Sequence, residues 1–560
     1  MKHAAKLLCL LLSLLLLAGC APAASEDPNA AVSDPSGAAA SSQGAAKTEQ
    51  ALESIRALGE SPDDEYRTWY EIFVYSYCDS DGDGVGDLAG VRSKLDELQA
   101  LGINGIWLMP IHPSTSYHKY NVSDYYAIDP AYGTMEDMEA LLADCAGRGI
   151  RVILDLVVNH TGSEHPWFKE AVAHLQSLPA GAQPDPAACP TVDYYNFAQA
   201  ESCPAGYHEV TGAAGWYYES RFSYDMPDLN LDSPAVREEI KDIMAFWLEK
   251  GAAGFRLDAA KEFWSGNAEK NLEVLNWIET TGRALDPDCY FVAEVWDSFA
   301  NITTYYKSGI TSIFDYAFGN VDGKIVSVLR GAGQPDVVST YATALEKADA
   351  AYLGSNPAYI DAPFLSNHDV GRIAGFVGRT AEKTKLAGAM NLFMSGSVFV
   401  YYGEELGMIC GGTNDPSYRA PMLWDENGTA DTPAPPPECE LPEEYLFGGL
   451  AQQKGDDGSV YNYYRQAIAI RQAIPAISHG RTTAETALNT GCVSAQRKSW
   501  EGEECILLMN LSAEAAGVDL TAYAGWTLAA SLVTGEEPVA QEGAALHLPA
   551  WGVAVLTPAA

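Results

Sequence analysis

Eight short β-rich apolar segments with helical stretches between them, one over-long gap and a tail of β segments predict an α/β fold. The predicted class is a (β/α)8 TIM barrel with a subdomain inserted after its third strand and a C-terminal antiparallel β-sandwich. The strand segments are 70–74, 105–109, 151–157, 254–257, 290–293, 312–314, 362–365 and 398–401. Helical stretches such as 91–101, 135–147 and 235–250 fit between them, with glycines near their ends. The gap at 161–225 is far longer than a normal βα loop and predicts a small subdomain over the strand ends. The barrel then spans 66–475, and 476–560, with β segments at 505–509 and 552–556, forms the sandwich.

The 560 residues are 47% hydrophobic, enough for one barrel-sized domain and one or two smaller ones. The 75 acidic against 34 basic side chains give a net charge of −41, which repels phosphates and anionic head groups. Nucleic acid is therefore excluded as a partner, and partners are expected to be neutral or cationic; the chain is expected to be a monomer.

Lys2, His3 and Lys6 precede a leucine-rich run at 7–17 that is too short to span a bilayer comfortably and ends in Ala18, Gly19 and Cys20. This resembles the lipobox of bacterial lipoproteins, which implies a signal peptide over 1–20 and lipidation of Cys20. The protein is thus expected to be exported and anchored to the bacterial cell membrane or cell surface, two acyl chains being enough for stable attachment. Residues 21–60 are rich in Ala, Ser, Pro, Gly and acids without an apolar period, as in a flexible tether. Nine cysteines remain beyond Cys20, none in CxxC spacing; Cys189 with Cys203 and Cys410 with Cys439 are candidate pairs in an oxidising compartment.

Carboxylates recur where barrel strands end, which is where active sites of this architecture sit. Asp258 follows the fourth strand, with Arg256 two residues earlier on the same face to hold it ionised. Glu294 follows the fifth strand, where apolar surroundings raise a carboxyl pKa and favour an acid. Asn367-His368-Asp369 closes the seventh and Asp155-Leu156-Val157-Val158-Asn159-His160 the third. Singly, an Asp after a strand is more often a helix cap. Together, two carboxyl groups about 5 Å apart on either side of a sugar are what hydrolysis with retention needs.

At these residues the sequence resembles glycoside hydrolase family 13, the α-amylase family, over nearly everything from Tyr66 onward. The segments around His160, Asp258, Glu294 and Asp369 match the family's regions in order and spacing. The resemblance implies Asp258 as nucleophile, Glu294 as general acid/base and Asp369 as transition-state stabiliser. It places Tyr120 under the sugar at the cleavage point, with His160, Arg256 and His368 binding hydroxyls and the nucleophile, and Lys261 beyond it. Residues 226–230, Met-Pro-Asp-Leu-Asn, match the fifth region as seen in the group intermediate between oligo-1,6-glucosidases and neopullulanases, which includes lipoprotein α-amylases.

Two departures bear on specificity. Asn121 stands where chain-end-acting relatives often have Asp, which tilts the expectation toward internal α-1,4 cleavage of starch, maltodextrins and maltooligosaccharides. Glu262 stands where many amylases have His. An α-1,6-glucosidase or glucanotransferase on the same fold, and an inactive glycan-binding relative, are the alternatives; the last loses catalytic carboxylates that this chain keeps. In 79–87, Asp-Ser-Asp-Gly-Asp-Gly-Val-Gly-Asp, alternate carboxylates and glycines suit a hard cation. The family places Ca2+ here through Asp79, Asp81, Asp83, Asp87 and the Val85 carbonyl, as a structural ion.

Overall fold

The computed structural model describes residues 35–179, 181–425 and 431–559, with side chains from residue 46 onward. The expected signal peptide, with Cys20, lies outside the described residues. Seven parallel strands form a curled sheet in the order Val398–Tyr401, Thr68–Ile72, Gly105–Leu108, Arg151–Leu156, Gly254–Leu257, Tyr290–Ala293, Ser312–Ile313. The expected seventh barrel strand, 362–365, is not a regular strand. It contributes one parallel bridge, Phe314 to Ala362, and on its other side the Phe399 N–H donates to the Pro363 carbonyl at 2.8 Å. Pro363 has no N–H to continue a ladder, so the barrel closes here through isolated bonds.

Large side chains fill the barrel. Trp69 is stacked between Tyr290 and Phe399 at 5.2 and 5.9 Å, and Trp107 packs on Phe314 at 5.4 Å. Gly254 opens the fourth strand at φ 147°, and a Cβ there would lie 1.9 Å from the Tyr290 carbonyl. This close approach draws the fourth and fifth strands together just before Arg256 and Glu294.

Around the sheet, Met135–Gly147 starts on a capping box between Thr134 and Asp137. The expected helix 91–101 is two shorter ones, Leu88–Ser93 and Leu95–Leu101, meeting at Lys94. The insert after the third strand contains the helix Pro166–Ser177 and a three-stranded sheet with Trp216–Glu219 between Phe197–Gln199 and Tyr207–Glu209. It is pinned to the third strand's end, where Leu229 N–H donates to Asn159 O at 2.9 Å and Thr161 N–H to Pro227 O at 3.1 Å. The C-terminal unit is a five-stranded and a three-stranded antiparallel sheet that share a core of Val493, Ile506, Leu508, Leu546, Leu548 and Leu556.

Two further expectations are corrected. Residues 35–56 of the expected tether form the helix Pro35–Arg56, which packs on the helix Val460–Ala473. Leu52 and Ile55, one turn apart, are buried, Glu49 pairs with Arg465 at 2.8 Å, and the Thr48 N–H donates to Asp457 at 3.0 Å. A stripe this narrow vanishes in the average composition of a stretch rich in Ala and Ser. Leu52→Ala is expected to cost about 2–4 kcal/mol in urea unfolding; a loss under about 0.5 kcal/mol, the level of a surface substitution, would show that the helix is not docked. Among the described residues, the nine cysteines from Cys78 to Cys505 are free thiols, including Cys189, Cys203, Cys410 and Cys439. Cys189 instead contacts the Thr191 hydroxyl at 3.2 Å, and Cys203 the Tyr207 carbonyl at 3.0 Å.

Candidate active site

A cavity of 630 Å3 opens at the C-terminal ends of the strands, under the inserted subdomain. Tyr120, His160, Asp258, Lys261, Glu294 and Asp369 line it, and Arg256 and His368 stand directly behind them. Every residue expected at the substrate site is therefore brought to one place.

Arg256 organises the floor. Its Nη1 donates to Asp258 and to Asp155, each at 2.7 Å, and its Nη2 to Glu294 at 2.6 Å. The guanidinium is buried and lies 5.1 Å from the Trp107 ring centroid. One planar cation thus fixes three carboxylates, which a point charge on a flexible stem cannot do. The chain turns sharply after Asp258, with Ala259 at φ 47°, and this left-handed turn aims the Ala259 N–H at Glu294 at 3.0 Å. Burial nevertheless wins at Glu294: it raises the pKa, aided by the charges of Asp258 and Asp369 and opposed by Arg256. Asp155, deeper still, is pushed up to about 7 by burial against the opposing pull of Arg256.

The opposite wall is cationic. His368 Nε2 lies 3.0 Å from Asp369 and 2.7 Å from the Tyr120 hydroxyl, while its Nδ1 meets Glu71 at 2.6 Å. Burial would lower its pKa, but Asp369 and Glu71 raise it to about 9, so an imidazolium persists at neutral pH. Asp369 also pairs with Arg419 at 2.8 Å. Burial alone would raise its pKa; the His368 and Arg419 charges overcome this and hold it well below the carboxylate range. The cavity therefore sets a carboxyl group of raised pKa on one side against a firmly ionised carboxylate on the other.

His160 is buried, which lowers its pKa, and its Nε2 has no hydrogen-bond partner among the described residues, leaving it open to a hydroxyl. Lys261 Nζ reaches Asp297 and the Trp296 carbonyl, both at 3.1 Å. Glu262 pairs with Arg221 of the insert at 2.9 Å, which ties the subdomain to the cavity's edge. Asn121 does not line the cavity; it is buried and donates to Asp225 at 2.9 Å.

Several residues here escaped the sequence reading. Glu71 had one signal, a lone acid inside an apolar strand. Arg419, Asp415 and His118 had none, because they come from loops after the eighth and second strands. Phe222, 51% exposed, and Trp296, 45% exposed and stacked on Tyr316 at 5.3 Å, give the cavity aromatic rims.

The acidic loop is separate from this cavity. Carboxylate oxygens of Asp79, Asp81 and Asp87 lie within 4.8 Å of one another. Asp83 is not in that group; its carboxylate accepts from the Val85 N–H at 2.7 Å, a local turn bond that its spacing in the sequence did not reveal. Asp87 also caps the helix Leu88–Ser93 through Gly90 N–H at 2.6 Å.

The chain matches the family model described as Alpha amylase, catalytic domain, over residues 71–480. It is 38% identical over 449 residues to Alpha-amylase 3 of Dictyoglomus thermophilum, covering 79% of this chain and 84% of that one. It is 29% identical over 472 residues to the Glucan 1,6-alpha-glucosidase of Streptococcus pneumoniae, covering 72% and 83%. Among solved structures, Eubacterium rectale Amy13B superposes with a TM-score of 0.86 at 42% identity, covering 91% of this chain and 99% of that one. With a strand-end cavity of paired carboxylates beneath an inserted subdomain, the chain belongs to the α-amylase family, glycoside hydrolase family 13, and is an enzyme of that family.

Proposed function

We propose that the protein is a retaining hydrolase of internal α-1,4-glucosidic bonds in starch, maltodextrins and maltooligosaccharides. The observation that carries this is that one guanidinium holds Asp258 and Glu294 by its two ends while Asp369 faces them. Holding both carboxyl groups on one guanidinium keeps them close together, in keeping with the separation of about 5 Å that retention requires.

In this reading Asp258 attacks the anomeric carbon while Glu294 gives its proton to the departing glycosidic oxygen. The bond from Asp258 forms as the glycosidic bond breaks. Glu294, now ionised, takes a proton from the incoming water, whose oxygen displaces Asp258 with a second inversion. Asp369, kept ionised by His368 and Arg419, accepts ring hydroxyls more strongly as positive charge grows on the sugar. Tyr120 stacks under that ring, its hydroxyl fixed by Asp155 at 3.1 Å, and His160 Nε2 takes a hydroxyl. Internal cleavage is favoured by Asn121, which is turned onto Asp225 and offers the cavity no carboxylate to grip a chain end. A relative named for 1,6-bonds keeps the alternative specific. Product sizing decides: amylose yielding a ladder of maltooligosaccharides supports the reading, while glucose alone from isomaltose with amylose untouched overturns it.

A structural Ca2+ in the acidic loop belongs to the same proposal. Three carboxylates that already converge fit a hard, oxygen-seeking ion. Ca2+ is expected to raise the Tm of the wild type by several degrees, as a ligand that binds only the folded state does. Asp79→Asn with Asp81→Asn should abolish the response, and an unchanged response would remove the ion from this loop. Export and anchoring through Cys20 complete the proposal, placing the enzyme where polymeric glucan is met; labelling by a lipid precursor that survives Cys20→Ser would contradict it.

A further inference from the structure

We infer that Asn121 is a positioning residue: it pins segment 220–226 of the inserted subdomain over the leaving-group side of the cavity, and so sets how firmly the departing sugar is held. This rests on the reading of the protein as a glucan hydrolase. Asn121 follows Tyr120 on the loop after the second strand and is buried. Its Nδ2 donates to the Asp225 carboxylate at 2.9 Å and to the Asp225 carbonyl at 3.3 Å, while its Oδ1 has no partner among the described residues. Asp225 therefore takes every hydrogen bond that this side chain makes. The Ser163 N–H donates to the same carbonyl at 2.8 Å and the Gly162 N–H to the Val122 carbonyl at 2.7 Å, so two barrel loops and the insert meet at this point.

The pinned segment reaches into the cavity. Phe222 and Met226 line it, and the Phe222 ring lies 5.6 Å from that of His160. Arg221 crosses to Glu262 on the loop after the fourth strand. Glu262 adjoins Lys261, whose Nζ reaches the Trp296 carbonyl two residues beyond Glu294, the proton donor in the functional reading. This edge is therefore where the leaving group sits. The segment has two side-chain ties to the barrel, and they differ in strength. The Arg221 side chain is 54% exposed, so its ion pair is screened and weak. The Asn121 amide is buried on a carboxylate, which makes it the firmer tie.

The chemistry of the pair explains why the residue is an amide. An amide donates to Asp225, whereas an ionised carboxylate at position 121 only accepts and would face a second carboxylate across a hydrogen-bond distance. Asn121→Asp should therefore detach segment 220–226 from the barrel instead of furnishing a grip on a chain end. Exchanging the two side chains restores one donor and one acceptor, with the carboxylate now on the barrel side.

Asn121→Asp and the double variant Asn121→Asp with Asp225→Asn test this in the full-length protein. Three quantities are compared with the wild type: kcat and KM on maltoheptaose, whose leaving group is a sugar; kcat/KM on α-glucosyl fluoride, whose leaving group is not; and the rate of chymotrypsin cleavage after the exposed Phe222 and Tyr224. In Asn121→Asp, kcat/KM on maltoheptaose is expected to fall about 10- to 100-fold, the scale of a lost hydrogen bond to a charged group, and mainly through KM. Fluoride hydrolysis should stay within about threefold, because the carboxylates that act on it are untouched. Cleavage of the segment should quicken by about tenfold as local opening becomes easier. The double variant should return all three to within about threefold of the wild type. Wild-type behaviour of Asn121→Asp overturns the inference. So do equal losses on both substrates, which mark a general disturbance of the fold, and a double variant that keeps the kinetics of the single one, since a carboxylate at position 121 would then act on substrate directly. Failure of the wild type to cleave maltoheptaose would instead overturn the functional reading, while chymotrypsin cleavage of the segment would still report on the pin.

Discussion

Glu294→Gln is expected to lower kcat on maltooligosaccharides by about 10²–10⁴-fold, the usual contribution of a positioned general acid. The loss should shrink sharply on an α-glucosyl fluoride, whose leaving group needs no proton. In the wild type, activity should fall on the alkaline side as Glu294 loses its proton. Because burial raises the Glu294 pKa, that fall comes at higher pH than for an ordinary carboxyl group. The Gln variant should lack this limb. Equal losses on fluoride and oligosaccharide would mean that Glu294 holds the site's shape and does not transfer the proton.

Arg256→Lys is the second large effect. A lysine reaches one of the three carboxylates well, leaving the others buried without a counter-charge. Removing one partner from a buried ion pair costs about 3–5 kcal/mol, so the variant should unfold at markedly lower urea. Its residual activity should also show a shifted pH profile. Arg256 opposes the raised pKa of Glu294, so its loss raises that pKa further and moves the alkaline limb to higher pH. A variant with wild-type stability and an unmoved profile would contradict the assignment of Arg256 as the site's organiser. Together these substitutions separate a residue that gives a proton from one that sets where protons reside.

The barrel was legible because parallel strands are buried on both faces and read as continuous apolar runs ending in functional acids. Gly254–Leu257 and Tyr290–Ala293 match the segments marked in the sequence, and Asp258 and Glu294 follow them directly. The seventh strand was over-read, since apolar composition does not reveal that Pro363 breaks the ladder. At the site, residues adjacent to strands could be named from sequence, whereas Arg419 and His118 arrive on loops whose path only folding sets. Asn121 shows the limit of motif reasoning: its position could be marked from the sequence, but not that its side chain turns to Asp225 and stays out of the cavity lining. The helix Pro35–Arg56 shows another, because two buried apolar side chains, Leu52 and Ile55, among many alanines anchor it.

The proposed retaining reaction requires Asp258 to form a covalent bond to the sugar. The most direct measurement is to incubate Glu294→Gln with α-maltosyl fluoride, digest the protein and locate the added mass. Activated fluoride allows the first step, and loss of the acid/base slows hydrolysis of the intermediate, so the adduct should accumulate. A disaccharide mass on the peptide containing Asp258, absent in Asp258→Asn, is the predicted result. An adduct on another carboxylate, or β-maltose released as the first product without any adduct, would contradict it.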